Sequence, residues 1–285
     1  MRFIYATDLH GWQDGFDALL DFATTNKAVA MVNGGDMLPK GDSILKAQKR
    51  FIQSYLPDYF QRCQAAGIRF YGMFGNDDVG SRLPYWREVI AAHEYAFDLT
   101  DRWHELPEGF RIRGVNHVPD APFGYKEWMV LDSPGWPRPL QTCRAIVSGP
   151  NGFEAIPDVE RFCAERPTLA DILANLSVDA VDMSRSIVVT HAPPDGLGLG
   201  TLGGILRGKD VGSAAVHAWI EKHQPLLALH GHIHESPDVT GIHTAPVGRT
   251  VCHQPGQKAQ LALTVSVIDV GEAGVEIERR FLPVE

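Results

Sequence analysis

The stretch Ala28-Val29-Ala30-Met31-Val32-Asn33-Gly34-Gly35-Asp36 decides how the chain is read. Its apolar run is too short for a helix and suits a strand buried on both faces. The two glycines at 34 and 35 permit a sharp turn. An aspartate follows at the strand's carboxyl end. Upstream, Phe3-Ile4-Tyr5-Ala6 is a second such run and meets Asp8 and His10 at once. Between the two runs, Phe16, Leu19, Leu20 and Ala23 recur at i, i+3, i+4 and i+7, which predicts an amphipathic helix. Downstream, residues 43–66 read as helix. Ile68 to Phe74 reads as a third strand, ending at Gly75-Asn76-Asp77-Asp78. Unbroken apolar strands alternating with helices predict an α/β fold with helices on both sides of the sheet.

The rest of the chain continues the pattern less evenly. Residues 103–133 hold short β-like pieces around Ile112 and Trp128 to Leu131. Residues 134–157 are rich in Pro and Gly and read as loop, and residues 158–176 read as helix. Ser186 to Thr190 is a strand ending at His191. Ser213 is a good N-cap for a helix whose shared face is Val216, Trp219, Ile220 and His223, stopped by Pro225. Leu226 to Leu229 is a strand ending at His230-Gly231-His232-Ile233-His234. Segments 260–269 and 274–282 form a predicted hairpin turning at 271–274. With no repeat and no linker, one domain over residues 1–285 is expected.

Composition bounds the function. The 285 residues carry 26 basic and 35 acidic side chains, a net charge of −9. That argues against a nucleic-acid or anionic-membrane binder, whose affinity rests on Lys and Arg. Cys63, Cys143, Cys163 and Cys252 form no C-x-x-C pair and read as free thiols in a reducing compartment. No apolar run is long enough to span a membrane. The amino terminus, interrupted by Asp8, does not read as a signal peptide. A cytoplasmic monomer or homodimer is the expectation.

Five predicted strands end in groups that can ligate a metal: Asp8/His10, Asp36, Asn76, His191 and His232/His234. Ligands bind at the carboxyl ends of strands in α/β sheets. In extended chain, side chains at i and i+2 point the same way, which would pair Asp8 with His10 and His232 with His234. Two Asp, one Asn and four His are too many for one tetrahedral zinc site. They suit two divalent ions sharing a bridging carboxylate. The donors are nitrogen and oxygen without thiolate, a set open to manganese, iron, zinc or cobalt.

Asp8-x-His10, Gly35-Asp36, Gly75-Asn76-x-Asp78, His191 and Gly231-His232-x-His234, in that order, resemble the calcineurin-like metallophosphoesterase superfamily. The resemblance implies a four-layer α/β/β/α sandwich of two mixed sheets flanked by helices. It implies that Asp8, His10, Asp36 and His234 hold one metal, and that Asp36, Asn76, His191 and His232 hold the other. Two divalent ions, manganese first, are implied as cofactors. A hydroxide between them would attack phosphorus in line, and Asn76 would touch both metal and phosphate.

Asp77 stands where many members carry a His that assists the leaving group. Near two cations its pKa should be depressed, which makes it a poor acid. A small branch resembles this chain in lacking that His, and its members are similar to low-molecular-weight phosphodiesterases. His191-Ala192-Pro193-Pro194-Asp195-Gly196 and Gly212-Ser213 are similar to turns of a prokaryotic subgroup. The V-D-R-G of Ser/Thr protein phosphatases does not follow Asp36. The expected function is hydrolysis of a small phosphate ester, a phosphodiester by preference. The alternatives are a phosphomonoesterase on nucleotides or sugar phosphates, and a catalytically silent metal-binding scaffold.

The remaining signals are weaker. Gly203-x-x-x-x-Gly208-Lys209 mimics a P-loop, but Asp210 replaces its Ser or Thr. Segment 196–212 carries seven glycines and reads as a loop over the pocket, where Arg207 and Lys209 could meet phosphate. His243 and His253 are candidate supporting groups. His230 reads as strand-end structure, and Trp12 is a candidate pocket wall.

Overall fold

The computed structural model describes residues 1–41, 43–258 and 260–284. Two six-stranded mixed sheets dominate it. The first runs in the order Gly274–Pro283, Ala262–Gly271, Arg2–Ala6, Ala30–Asn33, Arg69–Gly72, Ala96–Asp98. Its last four members are parallel, and the carboxyl-terminal hairpin closes one edge antiparallel. The second runs Thr244–Val247, Thr250–His253, Leu227–Leu229, Ser186–Thr190, Arg111–Val115, His104–Glu105. Its four central strands are parallel and both edges antiparallel.

Alternation along each strand explains the layers. Phe3 and Tyr5 point between the sheets, where they meet Ile187, Val189, Leu227 and Leu229. Ile4 and Ala6 point outward under the helices with Phe16, Leu19, Tyr59 and Phe60. On the second sheet, Val188 and Ala228 point outward beneath Val216, Trp219, Ile220, Leu169 and Leu173. Strands covered on both faces must be apolar throughout, hence the unbroken runs in sequence. Each such side chain, once buried, contributes about 1.5–3 kcal/mol. Phe16, Leu19, Leu20 and Ala23 do share the buried face of the helix Gln13–Thr25.

Three departures from the sequence reading have local causes. The helix expected over 43–66 is Ile44–Arg50, a π segment Phe51–Tyr55, and Leu56–Ala65. Pro57 has no N–H and crowds the carbonyl four residues back, at Gln53, so the turn there widens. The helix expected over 158–176 is two, Val159–Ala164 and Leu169–Ala174, separated by Pro167. A Thr168–Asp171 capping box restarts the second. The loop expected over 134–157 contains a hairpin, Ile146–Gly149 with Gly152–Ala155. Its strands are too short and too exposed to show period-two alternation.

The Ser213 cap is present: its hydroxyl accepts from the Val216 N–H at the start of Ala214–His223. Residues 203–208 do not form a P-loop, since a short 3₁₀ turn, Gly204–Leu206, occupies the position.

Candidate active site

Every strand that the sequence ends in a ligand does so at one edge of the sandwich. The first sheet supplies Asp8, His10, Asp36 and Asn76, and the second supplies His191, His232 and His234. One donor atom each from Asp8, His10, Asp36 and His234 lies within 4.8 Å of the others. His10 Nε2 is 3.4 Å from His234 Nε2, and His234 Nε2 is 3.3 Å from Asp8 Oδ1. Beside this group, His191 Nε2 is 3.1 Å from Asn76 Oδ1 and 3.5 Å from Asp36 Oδ2. The His232 ring centroid lies 5.3 Å from that of His191. Asp36 faces both groups.

The backbone that achieves this is not extended. Asp8, His10, Asp36 and His232 have φ of 59°, 47°, 48° and 69°. The i, i+2 argument from extended chain therefore gives the wrong reason for bringing Asp8 and His10 together. The residues turn left-handed, where Asp and His are tolerated better than most. Close approach also demands glycine. A Cβ at Gly75 would lie 2.3 Å from Asp36 Oδ1 and 2.7 Å from His191 Nε2.

The orientation of each ligand is fixed by what lies behind it. His191 Nδ1 donates to the Gly34 carbonyl at 2.8 Å, which leaves Nε2 to face the cluster. Asp36 Oδ1 accepts from the Asp77 N–H at 2.8 Å, and Asp8 accepts from the His232 N–H at 3.2 Å. Asn76 Nδ2 donates to Asp77 Oδ1 at 3.0 Å, so its Oδ1 turns to His191. Asp78, fully buried, accepts from the N–H groups of Gly75, Met37 and Leu38. It thereby ties the loop after Asp36 to the loop bearing Asn76. Gln48 adds a second tie through the Asp77 and Pro39 carbonyls and the Val79 N–H.

Charge is concentrated here. Burial would raise the Asp8 and Asp36 carboxyls, but His234 beside the first and His191 beside the second hold both below the usual range. Burial would lower His191, and Asp36 overrides it, raising it to about 9. Burial lowers His10 to about 4 and His232 to about 3. The donors fit a divalent cation. Buried carboxylates face buried imidazoles, two Nε2 atoms point at each other, and no thiolate is among them. His10 Nδ1 is buried with no partner among the described residues.

Two findings concern Asp77. With no ion bound, burial and the Asp36 carboxylate outweigh Lys40 and raise the Asp77 carboxyl. The depression expected beside two cations belongs to the metal-loaded site. Lys40 itself was missed: its Nζ lies 2.5 Å from Asp77 Oδ2. The only sequence signal was a Lys four residues after Asp36.

Arg207 and Lys209 are exposed, and among the described residues neither pairs with the cluster. Their loop is anchored, since Thr201 N–H donates to Ser236 Oγ and Gly203 N–H to Glu235 Oε1. His253 bridges the sheets instead of supporting the cluster: Nε2 accepts from Ser266 Oγ at 2.7 Å and Nδ1 donates to the His243 carbonyl at 2.7 Å. His230, fully buried, pairs with Thr190 at the strand end. Trp12 packs against the outer core.

A two-sheet α/β sandwich that gathers carboxylates and imidazoles at its strand ends is a scaffold for metal-dependent hydrolysis. The chain belongs to the calcineurin-like phosphoesterase family, whose sequence model matches residues 1–236. It is therefore a metal-dependent phosphoric ester hydrolase of a family that works with two metal ions. Solved structures share the fold at low identity. One crystal structure is 16% identical, covers 98% of this chain and 98% of its own, and gives a TM-score of 0.59. TT1561 of Thermus thermophilus is 15% identical over 100% of this chain and 99% of its own, with a TM-score of 0.56. A dimetal phosphatase from Danio rerio is 12% identical over 100% and 99%, with a TM-score of 0.53. No curated protein matches the chain by sequence. Among the described residues no helix is long and apolar enough to cross a membrane.

Proposed function

We propose that this chain hydrolyses a small phosphodiester with two divalent ions bound at the cluster. Asp8, His10, Asp36 and His234 hold one ion, a set supported by their convergence within 4.8 Å. Asp36, Asn76, His191 and His232 hold the other, supported by His191 Nε2 lying against Asn76 Oδ1 and Asp36 Oδ2. Manganese suits these donors, with iron, zinc or cobalt as the substitutes to test. Bound there, the ions supply Lewis acidity and a strong nucleophile near neutral pH.

The chain's own groups do the rest. Asp36 is common to both sets and spaces them. Asn76 turns its amide oxygen to His191 and its NH₂ to Asp77, where a phosphate oxygen can compete for it. Lys40 puts a cation on the same wall. From the loop 196–212, Arg207 and Lys209 remain cations for the outer face of a bound ester.

The observation that carries the diester preference is the Asp77 carboxylate beside Asn76. A monoester dianion brings two negative charges toward that carboxylate and a diester monoanion one; Lys40 offsets part of the repulsion, and what remains favours the diester. Free thiols at Cys63, Cys143, Cys163 and Cys252 support a cytoplasmic setting. An inner core that unites Phe3, Ile112, Leu227 and Ile268 supports one domain over 1–285.

The test is hydrolysis of an aryl phosphodiester and the matching monoester by metal-free protein and by protein loaded with each metal, beside Asp36→Asn. The expected result is metal-dependent turnover that favours the diester and is lost in the variant. A monoester preference with every metal would refute the diester reading. Bound metal without turnover of either ester would point to a silent scaffold.

A further inference from the structure

Beside the cluster, the helix Ile44–Arg50 and the hairpin Ile146–Gly149/Gly152–Ala155 flank a groove of about 350 Å³. Ile44, Leu45 and Lys46 line one side, and Tyr125 and Phe153 the other. The two rings lie 5.4 Å apart at 35°, and Phe153 keeps 38% of its surface exposed. Scattered exposed apolar residues are ordinary, but an exposed ring tilted against a second ring in the lining of a groove is not.

The groove adjoins the chemistry. Gly41 forms part of its lining and follows Lys40, whose Nζ rests on Asp77. Burial and then the Asp77 charge raise the Tyr125 phenol, so the field of the cluster wall reaches that ring. A ligand whose phosphate sits at Asn76 and Lys40 can therefore lay the rest of itself against this largely apolar wall.

We propose that this groove seats an aromatic arm of the ester, a nucleobase or aryl ring, stacked on Tyr125 and Phe153 with its phosphate at the cluster. The inference rests on the phosphoester reading and narrows its substrate class. Rings stack on any planar π face, so the groove selects an aromatic arm without selecting one base. Ile44 and Leu45 cover the ring's edge, and Lys46 suits the polar substituents that bases carry. An aliphatic or polyhydroxy arm would leave these surfaces wet.

The test is calorimetry on the manganese-loaded protein with phenylphosphonate and methylphosphonate, which share a head group and have no ester to cleave. Phenylphosphonate is expected to bind roughly tenfold tighter. Phe153→Ala, at an exposed hairpin position, should bring the two to within about twofold while leaving methylphosphonate unchanged. Tyr125→Leu keeps apolar bulk and should do the same. Equal affinities in the wild type, no binding of either ligand, or a preference untouched in both variants would overturn the proposal. Because binding is read without turnover, failure to hydrolyse any ester would strike the phosphoester reading and leave the groove to be judged separately.

Discussion

Lys40 Nζ lies 2.5 Å from Asp77 Oδ2, across two loops that follow different strands. Where much of the family places an imidazole beside the Asn, this chain places a carboxylate and then brings an ammonium to it. Asp77 and nearby Asp36 both raise the Lys40 pKa against burial, so Lys40 is a permanent cation. It is suited to stabilising charge on phosphate oxygens, not to donating a proton.

Lys40→Met is therefore expected to lower kcat/KM for an aryl diester by roughly a hundredfold. Lys40→Arg should retain most of it. Steady-state kinetics with metal content checked by elemental analysis decides. Wild-type kinetics in the Met variant would reduce the pair to a loop tether.

Asp78→Asn tests the tie behind the cluster. The carboxylate accepts from three backbone N–H groups, and an amide would turn an NH₂ toward at least one of them. A buried donor left unpaired costs about 1–3 kcal/mol. Denaturant unfolding of the metal-free protein should show that loss. Unchanged stability would mean that the loops hold each other without Asp78.

Gly75→Ala should separate folding from metal binding. The added methyl would lie 2.3 Å from Asp36 Oδ1 and 2.7 Å from His191 Nε2. It would also lie 2.4 Å from the Asp36 backbone N, so the loop must shift and some stability is lost, but the strands are untouched and the variant should fold with a lower metal stoichiometry. A full complement of bound metal in Gly75→Ala would show that the cluster can spread more than its tight packing suggests.

His253 makes a pH prediction. In the unfolded chain it takes up a proton near its ordinary value of about 6.5, whereas burial in the fold lowers it to about 3. Between those values the unfolded state binds more protons, so stability falls as pH falls. From pH 7 to 5 this one group should cost about 2 kcal/mol. His253→Gln should shrink the stability difference between those pH values by that amount. An unaltered difference would mean that the bridge to Ser266 survives protonation.

The strand ends were legible because their signal is local: an apolar run, a glycine, then a ligand. Asp36 and His191 need nothing more to be found. Lys40 was not legible, because its partner is distant in sequence and the two loops are brought together by the tertiary ties of Asp36, Asp78 and Gln48. The 146–155 hairpin escaped notice because an exposed pair of short strands leaves no hydrophobic period. Pro57 and Pro167 stand inside the stretches read as the unbroken helices 43–66 and 158–176, and their signal was passed over. The two prolines act differently, one widening a turn and the other forcing a restart.

The left-handed backbone at Asp8, His10, Asp36 and His232 has a consequence for how this protein can be altered. Glycine would be at ease at each of these positions, while a side chain there costs on the order of 1 kcal/mol. A library screened only for heat resistance without metal would therefore drift toward glycine at those four residues. Its winners would be robust proteins stripped of their chemistry.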